Sequence, residues 1–168
     1  MASTRAARRR SVGLVSVGDG ETYVIPVEVC EQRYGVRVER FAFDIVEGAG
    51  AGRRRGGRGL AREYRILSER ALLTVAWGRH RFPPWGVDGG HDGSPNTVEI
   101  VPADGSPVVR FGKAAAYPLQ RGDLVRLITG TGGGHGDPRE RERELVAQDL
   151  GDEVITEREA REAYGFSG

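Results

Sequence analysis

Apolar and polar residues alternate along much of this chain, which is the pattern of half-buried β-strands. One alternating run covers 60–67 and another covers 70–77, with polar residues between them. Because the runs are so close, they predict a β-hairpin with its turn near 68–70. Turn-forming sequences separate the apolar runs that follow. They predict three shorter strands at 97–101, 107–111 and 123–129.

The first alternating segment changes phase. Val36 and Val38 alternate with polar residues, but Phe41 and Phe43 continue on the opposite parity. Such a shift predicts a β-bulge or a change of face within one strand. Just before it, Cys30 lies in an apolar-patterned segment, which favours a small core residue.

Two capping sequences predict two helices near the C-terminus. Asp137 precedes a proline and has a glutamate three residues later, so a helix is expected over 138–150. Thr156 and Glu159 repeat the capping spacing, and Gly165 supplies a stop. The predicted fold class is therefore α+β, a mainly antiparallel β domain with two short C-terminal helices.

Composition fits one globular domain. The 168 residues are 38% hydrophobic and 29% charged, which favours a soluble domain over a disordered chain or a membrane protein. We expect a flexible basic leader at 1–20 and a single domain at 21–168. A net charge of +1 disfavours a nucleic-acid footprint over the whole surface. The lone Cys30 indicates a reducing compartment, and no apolar run reaches membrane-spanning length. A cytoplasmic protein without a membrane partner is therefore expected.

Glycine is abundant and clusters at 48–59, 86–93 and 130–136. The last cluster, TGGGHGDP, lacks the Lys-Ser/Thr ending of a nucleotide-binding loop. It does precede a helix start, where free N–H groups attract anions. An N-cap carboxylate occupies such donors, so a structural corner is favoured and anion binding is the alternative. The loop residues are Gly132, Gly133, Gly134, His135, Gly136 and Asp137.

Histidine spacing gives no support for a metal site. The three histidines, His80, His91 and His135, are not placed at ligand-pair spacings. Asp88 and Asp92 lie near His91, but such a loop cluster is typical of solvated turn residues. We therefore predict no metal in this chain.

The segment GAGAGRRRGGRG resembles an RGG-type RNA-binding tract. It is a single short linker between two predicted strands, whereas such tracts extend through many repeats. A glycine-shaped loop with exposed arginines is favoured, and a non-enzymatic module that binds RNA or acts as a scaffold is the alternative. The arginines concerned are Arg53, Arg54, Arg55 and Arg58.

Five motifs in order carry a more specific signal. They are PVEVCEQRYGVRVERFAF, GAGRRRGGRGLAREYRIL, RHRFPPWGVDGG, QRGDLVRLITGTGGGHGDPRERERELVAQDL and ITEREAREAYGF. Together they resemble the C-terminal part of the hydantoinase B/5-oxoprolinase family from about Pro26 to Phe166.

The resemblance implies a component of an ATP-dependent hydrolase that opens cyclic amides such as hydantoin or 5-oxoproline. Family enzymes use a hydantoinase A-type ATPase subunit to activate the amide carbonyl, and relatives carboxylate ketones. This segment normally follows a longer B-type region carrying a histidine- and aspartate-rich metal segment. The chain is thus expected to be a split subunit or a fragment, incomplete in catalysis and without its own cofactor. ATP and a divalent metal are expected in its partners, the A-type subunit and the B-type region.

The resemblance also bears on the candidate residues. His135 stands where relatives more often have tyrosine or another large aromatic, which implies packing or loop shaping. The glycine loop is carried over as a structural, binding or interface element together with Arg53 and Arg55. Which lactam or ketone is the substrate is open at this point.

Overall fold

A computed structural model describes residues 25–43 and 48–167 of the chain. Its strands are mostly antiparallel, and two α-helices lie at the C-terminus, so the predicted fold class is confirmed. The expected leader at 1–20 lies outside the described residues. In chain order the elements are α1 (Val27–Tyr34), β1 (Val36–Phe43), β2 (Leu60–Ile66), β3 (Arg70–Ala76), β4 (Thr97–Val101), β5 (Val109–Phe111), β6 (Lys113–Gln120), β7 (Leu124–Ile128), a 3₁₀ turn (Pro138–Glu140), α2 (Arg143–Gly151) and α3 (Glu157–Glu162).

The strands form two sheets. The larger has the order β1-β2-β7-β4-β5, and the smaller pairs β3 with β6. The predicted hairpin is therefore wrong in its pairing, although both of its strands exist. β2 pairs with β1 and β7, while β3 crosses to the second sheet. Alternation reports which face of a strand is buried, and it carries no information on the neighbouring strand.

The strand β6 is one that the apolar pattern does not predict. Three consecutive alanines and Pro118 interrupt its alternation, and Ala116 has a positive φ of 50°. The strand forms because it pairs with β3, with a register shift between Leu73 and Val75. The three shorter predicted strands are confirmed as β4, β5 and β7, with modest differences at their ends.

The main core lies between the two sheets. One face of the five-stranded sheet is apolar, and the β3–β6 ribbon packs on it through Leu73, Val75 and Tyr117. Burying this face removes apolar area from water, which is the main force that joins the layers. The buried members of this core are Ile66, Val98, Ile100, Leu119 and Val125.

The opposite face of the larger sheet carries a row of alternating charges. Arg40, Glu63, Arg126, Glu99 and Arg110 occupy directly paired positions on β1, β2, β7, β4 and β5. Successive nitrogen–oxygen distances along the row are 3.8, 3.3, 3.5 and 2.7 Å. Each carboxylate thus lies between two guanidinium groups, and opposite charges directly across strands favour this register.

The N-terminal described segment forms a helix that the sequence pattern does not predict. α1 ends at Gly35, whose φ of 59° is left-handed, and Cys30 is buried in it as expected. Glu31 at the helix accepts a hydrogen bond from the Val38 backbone N–H at 2.8 Å. The β1 strand that follows has the predicted bulge, between Val38 and Arg40.

A second core joins the C-terminal helices to the glycine-rich loop at 48–59. Ala51 packs there with four buried residues of the C-terminal segment, Val146, Ile155, Ala160 and Tyr164. The predicted capping box of Thr156 and Glu159 is present at α3. In residues 25–43 and 48–167, no helix has the length and apolar character needed to cross a membrane.

The predicted helix over 138–150 is corrected. A 3₁₀ turn covers Pro138–Glu140, and the α-helix begins only at Arg143. The chain is extended at Arg141, with φ −68° and ψ 134°. That side chain donates hydrogen bonds to the Arg53 carbonyl and the Asp149 carboxylate, contacts that local capping rules do not include.

Candidate functional site

Three glycine-rich loops that are far apart in sequence meet at one place. The Gly50 N–H donates to the Gly132 carbonyl, and the Val87 N–H donates to the Gly134 carbonyl, both at 2.9 Å. The Gly134 N–H in turn donates to the His91 carbonyl at 2.9 Å. TGGGHGDP thus lies between the arginine-rich loop and WGVDGGHDG. We call this contact region the glycine junction; its central residues are Gly50, Gly56, Gly90, Gly132, Gly133 and Gly134.

The glycine junction needs glycine because the backbones touch. A Cβ atom on Gly134 would overlap the Ala51 carbonyl, and one on Gly133 would overlap the Trp85 carbonyl. A Cβ on Gly56 would overlap the Gly132 carbonyl. Main-chain atoms cannot move aside as a flexible side chain can, so these positions exclude every other residue type.

The backbone donors of TGGGHGDP are largely occupied inside the protein. The N–H groups of Gly132, Gly134, His135 and Gly136 each donate to a backbone carbonyl at 2.9 Å. A phosphate-binding loop presents unpaired N–H groups to its anion. The hydrogen bonding of this loop therefore supports the structural corner over the anion site.

Asp137 ends the loop as a cap. Its Oδ1 atom accepts a hydrogen bond from the Arg139 backbone N–H at 2.8 Å, and Pro138 follows directly. The expected cap is thus present, on a 3₁₀ turn. Glu140, three residues on, forms an ion pair with Arg53 at 3.6 Å instead of closing a capping box.

His135 lies at the rim of the glycine junction. Its Nε2 atom is 3.1 Å from Asp88 Oδ2, and its Nδ1 atom is buried without a hydrogen-bond partner in the described structure. Residues Arg54 and Val87 flank its backbone through isolated β-bridges. The side chain is 45% exposed. It therefore lies partly at the surface, next to the Asp88 carboxylate, while its backbone is held by the loops on either side.

The acidic cluster near His91 is exposed, as predicted. Asp88, His91 and Asp92 all lie at the surface, and Asp92 accepts a hydrogen bond from the Gly86 N–H at 2.8 Å. Within the described ranges, no three His, Cys, Asp or Glu side chains come together as a metal-ligand group.

The arginine loop differs from the exposed loop that the sequence predicts. The Arg55 and Arg58 side chains are only 8% and 5% exposed. Arg58 donates to the Val154 carbonyl and lies 2.9 Å from Glu159, the residue that caps α3. Of the four arginines in this loop, only Arg53 and Arg54 are exposed. The sequence does not predict this burial, because a run of glycines and arginines has no hydrophobic periodicity that would indicate a buried face.

Arg55 belongs to a buried charge cluster. Asp149 Oδ2 lies 3.2 Å from Arg55 Nε and 2.7 Å from an Arg141 terminal nitrogen. All three side chains are at most 14% exposed. The cluster joins the arginine loop, the extended residue after the 3₁₀ turn, and α2. Arginine suits this position because its planar group contacts several acceptors while it stays charged.

Comparison with known proteins assigns the chain to a family. The Hydantoinase B/oxoprolinase family model matches residues 5–138. The chain belongs to the hydantoinase B/oxoprolinase family. The resemblance to this family is thus confirmed. The matched range contains the first three motifs and TGGGHGDP of the fourth, and the fifth motif lies beyond it.

Two relatives show how much of such proteins the chain represents. It is 35% identical over 143 residues to a Pseudomonas sp. (strain NS671) protein assigned as the B component of a D-/L-hydantoinase. It is also 35% identical over 139 residues to an uncharacterised protein of Methanocaldococcus jannaschii. These matches cover 84% and 83% of this chain, but 24% of each relative. The chain therefore spans about a quarter of the length of these relatives.

Solved structures share the fold. The ATP-dependent caprolactamase of Pseudomonas jessenii superposes with a TM-score of 0.69 at 24% identity, over 85% of this chain and 25% of that one. A nucleotide-free acetone carboxylase gives a TM-score of 0.67 at 20% identity, over 87% of this chain and 23% of that one. The architecture described above is therefore one that occurs within larger ATP-dependent enzymes.

Proposed function

We propose that this chain is the C-terminal unit of an ATP-dependent cyclic amide hydrolase of the hydantoin or 5-oxoproline type. The observation that carries the proposal is family membership, with 35% identity to the B component of a hydantoinase over 84% of the chain. The match covers 24% of that relative, so the chain represents about a quarter of such a B component. The unit is catalytically incomplete by itself.

The chemistry explains why partners and ATP are needed. A five-membered lactam resists hydrolysis because amide resonance stabilises its carbonyl. Transfer of the γ-phosphoryl group of ATP to the carbonyl oxygen releases ADP and makes the carbonyl carbon more electrophilic. Water adds to that carbon and the ring C–N bond breaks, so that the nitrogen takes up a proton as the free amine and an acyl phosphate remains. A second water then releases inorganic phosphate and leaves the carboxylate. In this proposal ATP and a divalent metal are held by the two partners, the hydantoinase A-type subunit and the B-type region with its metal segment, and the B-type region helps complete ring opening.

The role of the present chain in this proposal is architectural. The glycine junction brings three loops into backbone contact, and its donors are used within the fold. Arg55 and Arg58 fasten the junction to the C-terminal helices. A site supported by such packed backbone is held more accurately than one on free loops. Arg53 and His135 lie at the exposed rim of the glycine junction, and this rim is the part of the junction that can contact a partner.

Reconstitution tests the proposal. The purified chain is mixed with a B-type region and an A-type subunit from the same organism, and ATP hydrolysis is measured with hydantoin or 5-oxoproline. We expect lactam-dependent turnover only when all three components are present, and co-elution of the components in size-exclusion chromatography. A chain that binds neither partner, or that turns over ATP and lactam alone, would contradict the proposal.

A further inference from the structure

An exposed group of aromatic and cationic side chains lies beside the glycine junction, which contacts it through the Trp85 carbonyl at Gly133. Phe82 is 82% exposed and Trp85 is 71% exposed. They line a groove of about 410 Å³ with Arg79, Arg81 and Lys113. The loop after β3 reaches Lys113 because β3 pairs with β6, with Ala76 opposite that lysine. We call these five residues the aromatic-cationic patch: Arg79, Arg81, Phe82, Trp85 and Lys113.

The charges of the patch are not neutralised within the fold. In residues 25–43 and 48–167, Arg79, Arg81 and Lys113 form no ion pair. By contrast, Arg110 and Arg126 each contact a carboxylate in the charge row on the sheet. Uncompensated cations beside exposed aromatic rings favour an occupant that offers both acidic and apolar groups.

The patch is held in shape by its own surroundings. A Cβ on Gly112 would overlap the His80 ring, so the loop packs directly on the backbone at β6. The Asn96 side chain donates to the Gly78 carbonyl at 2.7 Å, and its backbone N–H donates to the Arg79 carbonyl. Arg79 itself has a positive φ of 54°. A preorganised surface loses little conformational entropy on binding, which suits an interface.

We propose that the aromatic-cationic patch docks an acidic and apolar surface of the B-type region of hydantoinase B proteins. The inference rests on the proposed function and names the surface that the assembly uses. Two observations select this occupant over a small anion or RNA. The chain covers about a quarter of its relatives, and Phe82 and Trp85 are the two most exposed large hydrophobic side chains in the described residues, which fits an apolar protein surface better than a small anion. Tryptophan and arginine are the residues that dominate protein interfaces.

Binding of the chain to a B-type region from the same organism tests the patch. The B-type region is produced without the segment that corresponds to this chain, and affinity is measured by calorimetry at low and high salt. The double variant Phe82→Ala/Trp85→Ala should weaken binding by about thirtyfold or more, as truncation of central aromatic anchors does. The variant Arg79→Gln/Arg81→Gln should weaken it about tenfold at low salt and less at high salt.

Controls separate this inference from the proposed function. Leu72→Ala and Arg70→Gln, both exposed on β3, should bind as the wild type does. If the wild type binds and restores turnover while the patch variants bind equally well, the patch is wrong and the proposed function stands. If the wild type fails to bind the B-type region at all, both are wrong. Submicromolar binding of single-stranded RNA that the patch variants lose, with unchanged protein binding, would assign the patch to nucleic acid and overturn the inference.

Discussion

Replacing Asp149 by asparagine tests whether the buried charge cluster fastens the arginine loop to the C-terminal helices. The Asp149 carboxylate is the common partner of Arg55 and Arg141, at 3.2 and 2.7 Å. Asparagine has nearly the same shape but no charge. The substitution therefore leaves two guanidinium groups, 8% and 9% exposed, without their counter-ion.

The expected loss in the free energy of unfolding is large for one side-chain substitution. Removing one partner of a buried ion pair typically costs about 3–5 kcal/mol, because the remaining charge stays desolvated. The Arg55 guanidinium still donates to the Gly56 carbonyl and Arg141 to the Arg53 carbonyl. These bonds keep the expected cost near the lower value, about 3 kcal/mol. Against a total stability of about 5–15 kcal/mol, this is a substantial fraction.

Urea unfolding measures the effect, with Glu144→Gln as the matched control. Glu144 lies on the same helix, α2, but is exposed. Its substitution removes the same charge and should change the free energy of unfolding by less than about 0.5 kcal/mol. Hydrogen exchange over 143–151 should quicken in Asp149→Asn. Equal midpoints for the two variants would refute the view that this cluster holds the helices in place.

Three further predictions concern the glycine junction, the cap and an ion pair on β1. Gly134→Ala should destabilise the fold by about 3 kcal/mol, because its Cβ would overlap the Ala51 carbonyl. Gly151 has open space around it, so Gly151→Ala should stabilise α2 by about 0.5 kcal/mol. Equal midpoints of the two variants in thermal unfolding would contradict this prediction. Asp137→Ala should cost about 1 kcal/mol and Asp137→Asn much less, and equal losses in urea unfolding would count against the cap. Hydrogen bonds from two arginines lower the pKa of Glu39 from 4.5 to about 2. The contribution of the Glu39 carboxylate to folding stability is therefore present above pH 4.5 and is lost as the pH falls toward 2. An NMR titration of this carboxyl with a midpoint near 4.5 would disprove the pairing.

Much of the local structure could be predicted from the sequence because its causes are local. The strand runs at 97–101 and 123–129 follow from alternation, and the cap at Thr156 follows from a side chain reaching a nearby N–H. The change in the parity of apolar residues after Val38 likewise predicted the β-bulge. The family could be recognised because five motifs stand in order, without reference to three-dimensional contacts.

Contacts between distant residues could not be predicted in this way. β2 pairs with β7, some 60 residues later, rather than with β3, because strand neighbours depend on how two whole faces pack. The helix expected from 138 begins at Arg143, since Arg141 is drawn to Asp149 and the Arg53 carbonyl. Such contacts exist only after the loop and the helix have come together.

The sequence by itself determined the positions of every strand except β6, the two caps, the family and the need for unusual loop backbones. Only the tertiary structure decided what the loops do. Three glycine clusters that could each have been an independent turn form one junction, where carbonyl groups fill the space of absent Cβ atoms. Arg55 and Arg58, which local composition assigns to the surface, are buried against Asp149 and Glu159. The physical reason is that burial and charge pairing are properties of neighbours in space, and a chain supplies those neighbours only when it folds.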